Sequence, residues 1–184
     1  ITAIKMLEPA VGPNTSILTL QNGIGSGDVL AAAFGQQNIL LGVTYIDAVR
    51  TQPGVVKEMG DRPNIIFGNR SGAITSKTES VHNVLQNSGI DVLLSSNIER
   101  DLWEKLIHIC AFSGMICITR SNMREIIETP EARELTHRIM LEAESVANAK
   151  GIRLSKDYVA NKMIFFDENK GGTISSMFTD LSKG

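Results

Sequence analysis

The chain has 184 residues, of which 42% are apolar and 21% are charged, so it can bury a core and is not composed like a disordered protein. Its 18 lysines and arginines nearly balance 20 aspartates and glutamates, and the net charge of -2 leaves no excess of positive charge for nucleic acid or anionic lipid. The longest charge-free stretches, residues 9–27 and 29–46, are interrupted by Pro, Gly, Asn and Gln, so we expect no membrane span and no nucleic-acid partner.

The first half of the chain alternates between predicted helices and strands. In chain order we expect an opening helix that ends at Gly12-Pro13-Asn14, a strand over 16–20, a loop over 21–27, a helix over 28–34, a strand over 39–45, a turn at Pro53-Gly54, strands over 55–58 and 64–68, a helix from a capping box of Ser76 with Glu79 to Gly89, and a strand over 91–95. This alternation predicts an α/β layer with a largely parallel sheet and room for an antiparallel strand at its edge.

From Ser96 onward the pattern is typical of helices only. We expect a helix from a capping box of Ser96 with Glu99 to about Cys117, a long helix from Thr129-Pro130 to Lys150 with Gly151 as its stop, a helix from Ser155 to about Phe166, and a last helix opened by Thr173. The change of pattern places a domain boundary near residues 95–97, which divides the chain into 1–96 and 97–184.

The helix over 97–117 is the most informative segment. Its charges stop at Lys105, and residues 106–119 carry none, which predicts a buried central helix. Lys105 therefore either extends its ammonium into water from the edge of the apolar zone or presents it to a cleft. Ile109 and Ser113 follow on the same helix face, so a cation and a hydroxyl flank an apolar step that could hold a small anion.

A polar loop, Gln21-Asn22-Gly23-Ile24-Gly25, follows the first predicted strand. Ligands of α/β sheets bind outside the carboxyl ends of the strands, which places Asn22 where ligand contacts are made. The alternative is a plain turn, since Asn-Gly is a common turn dipeptide. Gly23, Gly25 and Gly27 lack the spacing of the dinucleotide fingerprint, so the loop is weak evidence for a phosphate site.

Cysteine and histidine do not indicate a metal site. Cys110 and Cys117 are seven residues apart on one helix, about 10 Å by rise alone, which is too far for a disulfide. Together with His108 they are expected to pack in the core, and His82 and His137 to lie in solvent. Two unpaired cysteines, with no secretory signal pattern in the sequence, favour a reducing, cytoplasmic setting.

Both ends of the sequence have the pattern of a truncated chain. The chain opens inside a helical pattern without an initiator methionine, and it closes on a helix that has just begun. We therefore expect an excerpt of a longer protein.

Five motifs carry a resemblance to a known family: Leu20-Gln21-Asn22-Gly23-Ile24-Gly25, Gln52-Pro53-Gly54-Val55-Val56, Ile98-Glu99-Arg100-Asp101-Leu102-Trp103-Glu104-Lys105-Leu106, Ile118-Thr119-Arg120 and Ser175-Ser176-Met177-Phe178-Thr179-Asp180. In this order, and over nearly the whole chain, they resemble the ketopantoate reductases (2-dehydropantoate 2-reductases). The resemblance implies the second half of a Rossmann-like NADP-binding domain over 1–96. It implies the first half of an all-α substrate domain, similar to the C-terminal domain of 6-phosphogluconate dehydrogenase, over 97–184.

The same resemblance implies NADPH-dependent reduction of ketopantoate to pantoate, in pantothenate and coenzyme A biosynthesis. Lys105 matches the family's catalytic lysine, which donates a proton or a charged hydrogen bond to the C2 oxygen as hydride arrives. Asn22 matches an asparagine between nicotinamide and substrate, Ala48 falls at a backbone contact to the nicotinamide amide, and Ser176 matches a serine that binds the substrate carboxylate.

Family members also carry a Gly-rich NADPH phosphate loop before the segment seen here and a catalytic-site glutamate after it. Both lie outside this chain, so we expect the chain by itself to hold NADPH poorly and to be inactive.

Two positions depart from the family's pattern. The reference ketopantoate reductases have asparagines four and eight residues after the lysine, where they bind polar groups of the substrate, and this chain has Ile109 and Ser113. A lost hydrogen bond in a buried site costs on the order of 1–3 kcal/mol. The pocket is therefore altered, and Ser113 is the polar substrate contact that remains on this helix.

Two alternatives to ketopantoate reduction stay open. One is reduction of a different, less polar 2-oxo acid by a paralogue or by another member of the β-hydroxyacid dehydrogenase group. The other is a binding module that uses the fold without turnover. The preference for NADPH over NADH is set outside this sequence, and the helical domain could support a homodimer, although nothing in the sequence requires one.

Overall fold

The computed structural model describes residues 2–46, 48–58, 64–168 and 174–183. These residues fall into two units, Ile1–Leu102 and Trp103–Gly184. The first is an α/β layer and the second is helical, in the order that the sequence pattern predicts.

The first unit contains six strands and three α-helices among its described residues. They are α1 (Thr2–Leu7), β1 (Ile17–Thr19), α2 (Ser26–Phe34), β2 (Ile39–Tyr45), β3 (Ala48–Gln52), β4 (Val55–Glu58), β5 (Asn64–Gly68), α3 (Ser76–Asn87) and β6 (Asp91–Leu94). Four strands form the main sheet in the order β1-β2-β5-β6, and β3 and β4 form a separate two-stranded hairpin. The hairpin strand β3 was not predicted as a separate element.

The antiparallel pairing lies in the middle of the main sheet, not at its edge as the sequence pattern suggested. β1 and β2 are parallel, β2 and β5 are antiparallel with Val43 opposite Ile66, and β5 and β6 are parallel. A parallel neighbour needs a crossover connection, usually a helix, whereas the segment between β2 and β5 contains the β3–β4 hairpin. The chain therefore returns beside β2 in the opposite direction.

Alternate residues of the central strands point to opposite faces of the sheet, as the pleat requires. On one face Ile39 and Leu41 pack with residues of α1 and α2. On the other face Leu40, Ile65 and Phe67 pack against Val81, Leu85 and neighbours on α3 and β6. Because both faces are covered, β2 is apolar along most of its length, which is why it was readily predicted.

Two predicted helix caps are each one residue away from the observed ones. The Thr75 side chain, not that of Ser76, caps α3: it accepts from the Thr78 amide, and the Thr78 hydroxyl accepts from the Thr75 amide in return. At the next helix the Asn97 side chain accepts from the Arg100 amide at 3.3 Å, where Ser96 was expected to act. Several capping residues stand side by side at both points, and only the backbone conformation selects one of them.

The second unit is built from helices around one apolar cluster. Its elements are α4 (Ile98–Thr119), which begins in the first unit, α5 (Met123–Glu128), α6 (Pro130–Ala149), α7 (Tyr158–Glu168) and α8 (Ser176–Leu181). Ile107, Ala111, Met115 and Ile116 of α4 are buried in that cluster together with residues of α5, α6 and α7. The central position predicted for α4 is therefore observed.

Three features of this unit differ from expectation. The short helix α5 was not predicted, although Asn122 and Glu125 form its capping box. Ser155 does not begin α7 directly, since the helix starts at Tyr158. The predicted cap at Thr173 lies outside the described residues, and Ser175 caps α8.

The helix α4 is not buried on every side. Cys110 and Ile118 are exposed, so Cys110 does not pack in the core as predicted, and neither cysteine forms a disulfide. By length and composition alone α4 could cross a membrane, and 39% of the apolar window is buried inside the protein. Those criteria are weak evidence for a membrane span, because the central helix of a globular core meets them too.

The corrected cap of α3 gives a testable prediction. Replacement of Thr75 by Ala removes the side-chain acceptor for the Thr78 amide, and the free energy of unfolding should fall by about 1 kcal/mol. Ser76→Ala is the matched control and should change it by less than about 0.5 kcal/mol. Urea unfolding of both variants measures the difference, and a larger loss for Ser76→Ala would restore the original assignment of the cap.

Candidate functional site

The loop after β1 places Asn22 at the carboxyl end of a strand. Asn22 is exposed three residues beyond Thr19, the last residue of β1. Gly23 and Gly25 have φ of +90° and +94°, a left-handed conformation that residues with a side chain rarely adopt. These two glycines turn the chain sharply into α2 and leave the Asn22 side chain open to solvent.

Ala48 follows the neighbouring strand. It is the first residue of β3, it is exposed, and it pairs with Glu58 across the hairpin. Because β1 and β2 are parallel, residues that follow their carboxyl ends lie on one edge of the sheet. Asn22 and Ala48 are therefore both on the edge where nucleotide ligands bind in α/β folds.

Lys105 lies on α4 between two buried residues. Trp103 and Ile107, two residues to either side, are buried, and Lys105 itself is half-buried. Loss of water around the ammonium lowers the pKa of Lys105 below its ordinary value. A lysine in this condition gives up a proton more readily than one at the surface.

The two positions after Lys105 on the same helix face have different surroundings. Ile109 is half-buried and Ser113 is 6% exposed. Ser113 is eight residues from Lys105, so the two residues are about 12 Å apart along the helix axis. An apolar side chain therefore separates the cation from the buried hydroxyl.

Ser176 is in the first turn of α8 and is exposed. The adjacent Ser175 is buried, and its hydroxyl accepts from the Phe178 amide at 3.1 Å as the cap of the helix. Ser175 thus caps the helix, and the neighbouring Ser176 is exposed to solvent.

The predicted site residues belong to different units. Asn22 and Ala48 are in the first unit, and Lys105, Ser113 and Ser176 are in the second. Within the first unit the sheet edge brings its two residues to one side, and within the second unit α4 carries two of the three. Among the described residues there is no group of three or more His, Cys, Asp or Glu side chains that could hold a metal ion.

His108 was predicted to pack in the core, with no role in the site. Its ring stacks against Phe112, at a centroid distance of 5.3 Å, and against Phe166, at 5.4 Å, and the two phenylalanine centroids are 6.5 Å apart, so the three rings form one cluster. Burial, followed by the positive charges of Lys162 and Lys105, lowers the pKa of His108 to about 4. The signal in the sequence was its place three residues after Lys105, but its aromatic partner on α7 could not be identified from sequence.

Lys162 of α7 is a second desolvated cation in the same unit. Burial lowers its pKa, an effect that the charge of Glu104 opposes. Its Nζ lies 4.6 Å from the centroid of the Phe165 ring and 5.9 Å from that of Tyr158. Glu104 also accepts from the Ser155 amide at 2.7 Å, and the Tyr158 hydroxyl donates to its carbonyl oxygen, so α4 and the start of α7 are tied together beside Lys105.

Comparison with known proteins gives one consistent family. The family description "Ketopantoate reductase PanE/ApbA" matches residues 1–72, and "Ketopantoate reductase PanE/ApbA C terminal" matches residues 97–184. A 2-dehydropantoate 2-reductase of Halobacterium salinarum is 29% identical over 168 residues, which cover 91% of this chain and 55% of that protein. The chain spans about half the length of the curated relatives that it matches.

Solved structures agree with this result. A 2-dehydropantoate 2-reductase of Geobacter metallireducens is 32% identical with a TM-score of 0.88, over 97% of this chain and 59% of that one. A D-mandelate dehydrogenase in complex with NADH is 26% identical with a TM-score of 0.89, over 100% of this chain and 62% of that one. The predicted fold class, a Rossmann-like α/β part followed by an all-α part, is confirmed by these similarities.

The buried imidazole predicts a loss of stability in acid. In the unfolded chain His108 titrates near 6.5, and in the folded protein its pKa is about 4. Below pH 6.5 the unfolded state therefore takes up a proton that the folded state does not, and the free energy of unfolding should fall by about 3 kcal/mol between pH 6.5 and 4.

Denaturant unfolding as a function of pH tests this, with His108→Phe as the control. The variant keeps a ring that can stack against Phe112 and Phe166 but cannot titrate, so its stability should decline less than that of the wild type over this range. Parallel pH dependence in the two proteins would show that His108 does not contribute.

Proposed function

The chain belongs to the ketopantoate reductase family, a family of oxidoreductases, and we propose that its parent protein reduces a 2-oxo acid with a nicotinamide cofactor, with Lys105 as the general acid. The first substrate that we propose is ketopantoate, because the relatives named above are 2-dehydropantoate 2-reductases. The location that we propose is the cytoplasm.

The half-buried ammonium of Lys105 is the observation that carries this proposal. Reduction of a 2-oxo acid places negative charge on the C2 oxygen, which must receive a proton. A fixed ammonium stabilises that developing charge more strongly than it stabilises the neutral carbonyl, so it accelerates the reaction. Partial loss of water lowers the pKa of Lys105 toward the working pH, which favours proton donation.

The residues at the sheet edge fit the nicotinamide end of the cofactor. The exposed Asn22 amide and the backbone of Ala48 both follow carboxyl ends of parallel strands, and a Cβ at Gly23 or Gly25 would meet no atom within 4 Å, so the loop surface is open. Bound there, the nicotinamide would supply hydride to the carbonyl carbon. The cofactor that we propose is NADP(H), and the D-mandelate dehydrogenase solved with NADH supports a nicotinamide cofactor in general.

The remaining polar residues would hold the substrate. We assign the substrate carboxylate to the exposed hydroxyl of Ser176 and a further polar contact to Ser113, with Asn22 between cofactor and substrate. Ser113 is buried, so a substrate that cannot form a hydrogen bond with its hydroxyl would bind with lower affinity than one that can.

A second candidate substrate is a less polar 2-oxo acid. Ile109 lies four residues after Lys105 and offers an apolar surface where a polar group of ketopantoate would need a hydrogen bond. The similarity to a D-mandelate dehydrogenase supports this alternative. The remaining alternative to an enzyme is a protein that uses this fold to bind a ligand without converting it. For the assembly of the parent protein we propose a homodimer.

Lys105→Ala in the full-length protein tests the enzymatic proposal. We expect NADPH-dependent reduction to fall at least about a hundredfold, since a general acid contributes at least that much. The exposed Lys156 provides the control, and Lys156→Ala should leave the rate unchanged. The assay follows NADPH oxidation with ketopantoate and with a panel of other 2-oxo acids. If the folded wild type oxidises NADPH with none of them, the binding module is favoured instead.

Ile109→Asn tests the choice of substrate. An amide at this position offers hydrogen bonds to polar groups of ketopantoate, and each bond gained is worth about 0.5–1.5 kcal/mol, or roughly twofold to tenfold in kcat/KM. We expect kcat/KM for ketopantoate to rise relative to that for apolar 2-oxo acids. An unchanged ratio would mean that Ile109 does not contact the substrate.

A further inference from the structure

The position of the His108 ring is fixed from two sides. Phe112 lies on the same helix and Phe166 on α7, and the planes of the two rings are tilted from the imidazole by 12° and 26°. Phe166 is 3% exposed and belongs to the central cluster of the second unit. Stacking against both rings fixes the plane of the imidazole.

One of these nitrogen atoms is left without a partner. The Nδ1 atom of His108 is buried and has no hydrogen bond within the part of the chain that the structure describes. Buried polar atoms are nearly always satisfied, and an unpaired one destabilises the fold. Phenylalanine would stack against the same two rings without leaving a polar atom unpaired, so packing alone does not explain a histidine here.

The charged groups around His108 come from both helices that it contacts. Lys162 on α7 and Lys105 on α4 both lie close enough for their charges to oppose protonation of the imidazole, and Glu104 acts in turn on Lys162. His108 therefore stays neutral at physiological pH, and a neutral imidazole has one nitrogen that can accept a hydrogen bond. Ammonium groups are donors only, so the fixed nitrogen and the two lysines are chemically complementary.

We propose that His108 is a positioning residue for Lys105, and that its unpartnered imidazole nitrogen accepts a hydrogen bond from the Lys105 ammonium when the lysine is set for proton transfer. The two residues are three apart on α4, the spacing at which helical side chains are neighbours. The inference rests on the proposed role of Lys105 as the acid. It adds the group that orients this acid within the second unit.

Lys105 is a better candidate donor than Lys162. The ammonium of Lys162 already lies over the Phe165 ring, and the nearby carboxylate of Glu104 favours its charged form. These contacts are favourable for a cation and would be lost if Lys162 turned toward His108. Lys105 is assigned to the unpaired nitrogen because it lies three residues before His108 on α4, where helical side chains are neighbours.

Two substitutions separate the nitrogen from the ring. His108→Phe keeps an aromatic ring stacked against Phe112 and Phe166 and removes the acceptor. His108→Asn removes the ring but places an amide oxygen near the position of Nδ1. In the full-length protein we expect kcat to fall about tenfold in His108→Phe, with a smaller change in KM, and to stay near the wild-type value in His108→Asn. His82→Gln on α3 is the control histidine and should have no effect.

A titration tests the inference without turnover. The Cε resonance of Lys105 in ¹³C-lysine-labelled protein, assigned with Lys105→Arg, reports the pKa of this lysine. An acceptor stabilises the charged ammonium, so the pKa of Lys105 should be lower in His108→Phe than in the wild type, and this decrease should be absent in His108→Asn. Thermal melts verify that each variant is folded.

The outcomes are distinct. Equal kcat and equal Lys105 titration in His108→Phe and wild type would overturn the inference, as would equal losses in both His108 variants, which would indicate that only the ring matters. If Lys162→Met reproduces the effect of His108→Phe, the nitrogen serves Lys162 and the inference is wrong. If the folded wild type reduces no 2-oxo acid, the proposed function fails, and the titration still decides whether His108 contacts Lys105.

Discussion

The desolvation of a few polar groups along α4 is the constraint on which the candidate site depends. The helix carries no charged side chain between Lys105 and its end, because Ile107, Ala111, Met115 and Ile116 form the core of the second unit. Any polar group on the border of this core loses water. Burial is accordingly the first cause of the lowered pKa of Lys105, His108 and Lys162. The packing of a hydrophobic helix thus lowers the pKa of Lys105, which favours the proton donation proposed for it.

The first unit positions its residues by a different means. Asn22 and Ala48 are not buried, and no charge tunes them. Their placement follows from the direction of β1 and β2, which run in parallel and end at the same edge of the sheet. The left-handed glycines after Asn22 shape the loop at that edge. Strand direction therefore determines where the residues of the proposed cofactor site lie. Loss of water determines the pKa of the proposed acid, Lys105.

The altered helix face after Lys105 bears on substrate choice. Ile109 supplies no hydrogen bond, and the buried Ser113 is two turns away from the lysine. His108 adds a polar atom three residues from Lys105 on α4, and its ring stacks against Phe112 and Phe166. In the proposed site, the helix face beyond Lys105 therefore offers few polar contacts to a substrate, and the neutral imidazole of His108 lies beside the proposed acid. This combination supports the proposal of a substrate less polar than ketopantoate.

The sequence by itself determined the elements whose signals are local. Runs such as Ile39–Tyr45 are apolar because both faces of the strand are covered, and Lys105 was identified because it is the last charge before a long apolar helix. Tertiary structure alone decided the central antiparallel pair, the choice of Thr75 over Ser76 as a cap, and the contact of His108 with Phe166 on α7. Each of these depends on which residues meet across the fold or on the exact backbone angle at one position. Such information is not contained in the spacing of residue types along the chain.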